Sequence, residues 1–176
     1  MASETTLLGA AGEHFIMAEL LRRGFVAALA PQGVPNVDIV VTDISGNKLC
    51  TIQVKARRDV GSDGGWHMKP KHESLFADRL FYCFVDFGKS PEDMPTVYVL
   101  PSDIVSKVIG ETHKSWLSTP GKRGQKRNDS NVRRLLPDYS NAYIGMVNPY
   151  PSGWLAEFKN AWHLLGLSQK TSENEI

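Results

Sequence analysis

Residues 36–55 constrain this chain more than any other stretch. In NVDIVVTDISGNKLCTIQVK, Val37, Ile39 and Val41 alternate with Asp38, Val40 and Thr42, the two-residue period of a strand with two different faces. Ser45, Gly46 and Asn47 supply a turn. Alternation then resumes, with Ile52 and Val54 against Thr51, Gln53 and Lys55. Gln53 and Lys55 therefore leave one side of one strand, and hairpin pairing brings Asp38 within reach of that side. An acid, an amide and an amine at the end of an apolar hairpin are costly to desolvate unless they bind something.

The rest of the chain supplies layers for that hairpin. A first helix is expected over 7–23, its apolar stripe made by Phe15, Ala18 and Leu21 with Ile16 and Leu20, and Gly24 following its end. Gly9 and Gly12 weaken its first turns as helix formers and leave room for another backbone or a ligand. Glu13 stands beside them, either as a solvated helix carboxylate or as a functional one. Residues 25–30 and 66–68 read as short strands, 80–87 as a strand buried on both faces, and 96–100 as another. Ser102 is placed to cap a helix running to about Trp116, with Gly110 as a break point. Residues 139–147 read as a last strand or turn. Residues 152–165 read as a closing amphipathic helix with Trp154, Leu155, Phe158, Trp162 and Leu165 inward. The expected organisation is one domain over 1–168, with a core over 7–116, a basic loop over 119–134, the closing helix, and a disordered tail over 169–176.

Net charge is +1, so a surface for nucleic acid has to be local. Residues 119–134, TPGKRGQKRNDSNVRR, provide one: Lys122, Arg123, Lys126, Arg127, Arg133 and Arg134 stand against a single acid, Asp129. This is a solvated loop or a phosphate-contacting arm. Cys50 and Cys83 match no zinc or redox spacing and are expected as buried reduced thiols, which fits a cytoplasmic protein. The first residues lack the pattern of a signal peptide, and no apolar run approaches the roughly 18 residues that span a bilayer. No membrane partner is expected.

A helix carrying an acid, a strand, a strand carrying Asp38, a turn, and a strand carrying Gln53-Val54-Lys55 resembles the PD-(D/E)xK nuclease superfamily. The pattern is nearest to the archaeal-type Holliday-junction resolvase branch, where a helix also begins with small residues and a Glu and ends in Gly-Phe, here Gly24-Phe25. The resemblance covers residues 9–55, and more loosely extends to residue 100. It implies an α/β, restriction-endonuclease-like mixed central sheet flanked by helices, here with a C-terminal helical extension. It also implies a Mg²⁺- or Mn²⁺-dependent endodeoxyribonuclease acting on DNA, branched or foreign DNA among the candidates, with no small-molecule organic cofactor. Glu13, Asp38, Gln53 and Lys55 would form the catalytic set. Asp38, the Gln53 amide oxygen, the Val54 carbonyl and Glu13 would hold the metal, and Lys55, protonated and held by three acceptors, would stabilise charge on the phosphate. Lys69, Lys71 and the 122–134 cluster would contact backbone phosphates. Resolvase-like members pair to cut two strands, so a homodimer is compatible with the pattern. Two departures stand out: Gln53 replaces the usual acid, and Val37 stands where proline usually precedes the Asp. The amide removes one negative charge, which lowers affinity for a hard cation and leaves room for a nuclease-fold module that binds nucleic acid or a protein without cutting.

Overall fold

The computed structural model describes residues 3–60, 64–121 and 123–167. Helix α1 (Glu4–Arg22) leads into strands β1 (Val26–Leu29), β2 (Ile39–Thr42) and β3 (Leu49–Arg57). Strands β4 (Trp66–Met68), β5 (Leu80–Asp86) and β6 (Thr96–Pro101) follow, then helix α2 (Ser102–Ser118) and strand β7 (Arg133–Leu135). Short 3-10 turns lie at Pro70–Glu73, Ser140–Ala142, Trp154–Phe158 and Trp162–Leu165.

The main sheet has the order β1-β2-β3-β5-β6. β3 and β5 run parallel, and every other neighbouring pair is antiparallel. β4 and β7 form a separate antiparallel pair. The period-two reading of residues 36–55 explains the layering. Ile39, Val41, Ile52 and Val54 face α1 and pack with Ile16 and Leu20. Tyr82 and Phe84 of β5 face the other way, against Val105, Val108 and Ile109 of α2. β5 is buried on both faces because α2 packs on one and the cluster of Ile16, Leu20, Trp162 and Leu165 on the other. Among the described residues, no helix is long and apolar enough to cross a membrane.

Three local expectations change. Ser102 is the first residue of α2, not its cap; its hydroxyl exchanges hydrogen bonds of 3.0 Å with the Ala77 N–H and C=O, tying the helix start to the loop before β5. Gly110 does not break α2. The closing helix over 152–165 is instead two separate 3-10 turns. Gly153 (φ 90°) and Asn160 (φ 51°) interrupt the helical path, and the chain between the turns pairs with β6: Lys159 bridges Tyr98, and Asn160 N–H donates to the Val97 carbonyl at 2.9 Å. Covering a sheet edge outweighs the helical spacing of the aromatics.

Two glycines in helices have opposite roles. A Cβ on Gly12 would lie 2.8 Å from the Ala56 Cβ and 3.3 Å from Val54 Cγ1, so this glycine lets α1 sit against β3. A Cβ on Gly110 would meet nothing within 4 Å. Gly110→Ala should stabilise the fold by about 0.5–1 kcal/mol. Gly12→Ala should destabilise it by about 1–2 kcal/mol, because overpacking exceeds the gain in helix propensity. Urea unfolding midpoints of the two variants should move in opposite directions.

Candidate active site

The ladder between β2 and β3 ends at Ile39 opposite Ile52, while β3 continues to Arg57. Beyond Ile52, β3 presents an edge that β2 does not cover. Asp38 fills the gap. Its N–H donates to the Ile52 carbonyl at 2.9 Å, and its Oδ2 accepts from the Val54 N–H at 2.7 Å. The N–H and C=O of one strand residue leave the same edge, so the Val54 carbonyl shares the notch with the Asp38 carboxylate. Asn36, held at φ 68°, sets the approach to Asp38, and its Oδ1 accepts from Lys71 Nζ at 2.7 Å.

Gln53 is 5% exposed, and its Oε1 is buried with no hydrogen-bond partner among the described residues. Leaving such an acceptor unpaired costs about 1–3 kcal/mol. Glu13 arrives from α1, one residue beyond the close contact at Gly12. Burial raises its pKa, the Asp38 charge raises it further, and His14 and Lys55 oppose the shift. Lys55 is half-buried, and its pKa is lowered because desolvation outweighs the attraction of Asp38 and Glu13. Among the described residues Lys55 makes no hydrogen bond or ion pair, so the expected grip of three acceptors is absent; the carboxylates act on it through space. Glu13, Asp38 and Lys55 thus feel one another's charge, with Gln53 two residues before Lys55 on the same strand.

Among the described residues, no three His, Cys, Asp or Glu side chains gather as a metal-holding group. A cation here would need the two carboxylates supplemented by neutral oxygens. The orphaned Gln53 Oε1 and the Val54 carbonyl are oxygens of the type a hard cation takes, so the donor set fits.

The expected phosphate contacts divide. Lys69 and Lys71 are exposed and lie near enough to depress the Lys55 pKa. Arg123, Lys126 and Arg134 are also exposed. Arg127 is half-buried: its guanidinium lies 4.7 Å from the centre of the Trp116 ring and donates to the Trp116 carbonyl at 3.0 Å. Lys122 lies outside the described residues. Arg133 does not face solvent. It is 5% exposed, pairs with Glu73, and donates to the Ser130 carbonyl at 2.6 Å. A guanidinium enclosed in this way is a structural tie rather than a phosphate contact.

One pair escaped sequence reasoning. His72 is 2% exposed, and its Nδ1 lies 2.7 Å from the Tyr82 hydroxyl. Tyr82 is the register partner of Gln53. Burial, aided by the charges of Lys55, Lys71 and Lys69, pushes the His72 pKa down to about 4. Burial and the Asp38 charge push the Tyr82 phenol upward. Near neutral pH the imidazole is therefore uncharged and shares one hydrogen bond with the protonated phenol. The only local signal was the position of Tyr82 within the apolar run of β5.

The sequence matches no family model and no curated protein. The structure does have solved relatives in shape. A bacterial homing endonuclease, I-Ssp6803I, matches over 94% of this chain and 92% of its own, with a TM-score of 0.51 and 17% identity. This chain has a restriction-endonuclease-like α/β fold. A second nuclease-fold match, the Holliday junction resolvase Hjc of the archaeal hyperthermophile Archaeoglobus fulgidus, covers 80% of this chain and 91% of its own, with a TM-score of 0.41 and 14% identity. In this fold the notch beyond the β2–β3 ladder holds Asp38 and the Gln53-Val54-Lys55 run.

Proposed function

We propose that this protein is a divalent-metal-dependent endodeoxyribonuclease and that the notch at Asp38 is its active site. The observation that carries this reading is the buried, unpartnered Gln53 Oε1 on the strand whose Val54 N–H binds Asp38. The nuclease-fold likeness to a homing endonuclease supports asking for DNA cleavage. Asp38 through Oδ1, Gln53 Oε1, the Val54 carbonyl, and Glu13 directly or through water would hold Mg²⁺ or Mn²⁺. A divalent ion bound there supplies a Lewis acid for the scissile phosphate and a water of lowered pKa. Asp38 fixes its own carboxylate on the Val54 amide, so its orientation is set before substrate arrives. Protonated Lys55 stabilises negative charge growing on the phosphate oxygens as water adds and the P–O bond breaks. Exposed Lys69 and Lys71 hold the neighbouring backbone phosphates without reading sequence.

Supercoiled, single-stranded and branched DNA, each incubated with Mg²⁺ or Mn²⁺, test the proposal. Metal-dependent cutting of at least one, lost in Asp38→Ala, is expected. A second reading, a nuclease-fold module that binds DNA without cutting, is favoured by one observation: Gln53 leaves the site with only two carboxylates. Salt-sensitive binding with no cleavage of any of the three DNAs would select it.

Gln53→Glu separates the amide's role from packing. Without metal, a buried carboxylate added to the half-buried Asp38 and Glu13 lowers the melting temperature by desolvation and like-charge repulsion. With metal, the added charge should reduce the Mn²⁺ concentration for half-maximal thermal stabilisation roughly tenfold. Thermal unfolding across a Mn²⁺ titration measures both effects.

A further inference from the structure

Aromatic and basic groups converge a second time, at the C-terminal end of α2. A cavity of about 240 Å³ opens there, lined in part by Trp116, His113, Tyr139 and Arg134. The Trp116 ring, 36% exposed, lies nearly parallel to the His113 ring, with 5.7 Å between centroids and 20° between planes. Arg127 lies over the Trp116 ring and is tied to the Trp116 carbonyl. Asp129 is the one acid in residues 119–134. Its Oδ1 lies 2.8 Å from His113 Nε2 and 3.2 Å from Arg133 Nη1, so its charge is met within the fold. Arg123 and Lys126 face outward, and both are cationic.

A flat aromatic wall beside an open cavity, with cations around it, is complementary to a nucleobase and its flanking phosphates. Fully paired DNA keeps its bases stacked inside the duplex and cannot fill such a cavity. The place in the fold also suits DNA that reaches the notch. Ser106 of α2 donates to the Glu73 carbonyl, next to His72. Trp116 lies ten residues further along the helix, a rise of about 15 Å from Ser106.

We propose that this cavity receives one unstacked base of a single-stranded or locally opened DNA strand, held against Trp116, while Arg123 and Lys126 contact the adjacent phosphates. The proposal rests on the nucleic-acid reading above, though not on cleavage. Arg127 holds the stacking place until DNA binds. For the base to stack, the half-buried guanidinium leaves the ring and the Trp116 carbonyl and pairs with a phosphate.

Binding is measured by fluorescence anisotropy in EDTA, where no metal-dependent cutting occurs. The probes are labelled oligothymidylate, a fully paired duplex, and the same duplex with one unpaired thymine. Trp116→Ala should weaken binding of the first and third about tenfold and of the paired duplex less than twofold, and Trp116→Phe should recover most of the loss. Equal weakening on all three DNAs, or none, would overturn the proposal. In the unaltered protein, iodouracil at the unpaired position should photocrosslink to Trp116 or His113, and crosslinks confined to other residues would also overturn it. Failure of cleavage with this pattern intact would count against the nuclease reading alone.

Discussion

Lys55→Met should reduce the rate of metal-dependent DNA cleavage by roughly 10²–10³-fold, the loss typical when one group that stabilises developing charge is removed. The same variant should keep or raise its melting temperature at neutral pH. Burial lowers the Lys55 pKa despite Asp38 and Glu13, which means the folded protein holds this charge at a cost. Met keeps the apolar stem and removes the ammonium. Loss of rate with gain of stability is the signature of a group retained for chemistry, and unfolding cannot imitate it. Lys55→Arg should recover little, because a planar guanidinium cannot take the place of a compact ammonium. Single-turnover cleavage and thermal unfolding on the same preparations test the pairing. Parent-like cutting by Lys55→Met would remove Lys55 from the mechanism.

Acid should destabilise the fold through His72. Its folded pKa, about 4, lies below the ordinary 6.5, with burial the main cause. Between those values the unfolded chain takes up a proton that the folded chain refuses, so stability rises with pH across the window. The contribution is fully present above pH 6.5 and is lost as pH falls toward 4, on the order of 3 kcal/mol in total. Glu13, with its raised pKa, acts in the opposite sense: the folded chain holds its proton more tightly, which favours the fold as pH falls toward the ordinary carboxylate range. Comparing the parent with His72→Gln cancels that contribution. The variant keeps a side chain able to bond Tyr82, cannot titrate, and should lose much less stability between pH 7 and pH 4.5. Urea unfolding at the two pH values gives the difference directly.

The parts of this molecule legible in the sequence are those set by local pattern. Alternation around Asp38 and Gln53-Val54-Lys55 places these residues at the entry to β2 and on β3, because a strand's period is a property of the chain itself. The apolar run of β5 gives its burial on both faces, and the small residue before Glu13 marks the close approach of α1. What stayed hidden depends on partners far along the chain. Arg133 sits in a basic run that reads as solvent-facing, yet Glu73 and the pairing of β4 with β7 enclose it. His72 gains its role only through the parallel register that sets Tyr82 beside Gln53. The aromatics of residues 154–165 keep helical spacing, yet pairing of Lys159 and Asn160 with β6 splits them into two turns. Ser102 has a capping residue's chemistry but bonds Ala77 instead. In each case a long-range contact outweighed a local preference.

The proposed seat for a divalent cation comprises Asp38, Gln53, the Val54 carbonyl and Glu13. Crystals grown with Mn²⁺ test it through the anomalous difference map. The account predicts a peak within about 2.0–2.6 Å of both Asp38 Oδ1 and Gln53 Oε1, absent in Asp38→Ala. A map with no peak in the notch at millimolar Mn²⁺, or a peak that leaves Gln53 Oε1 unligated, would contradict it.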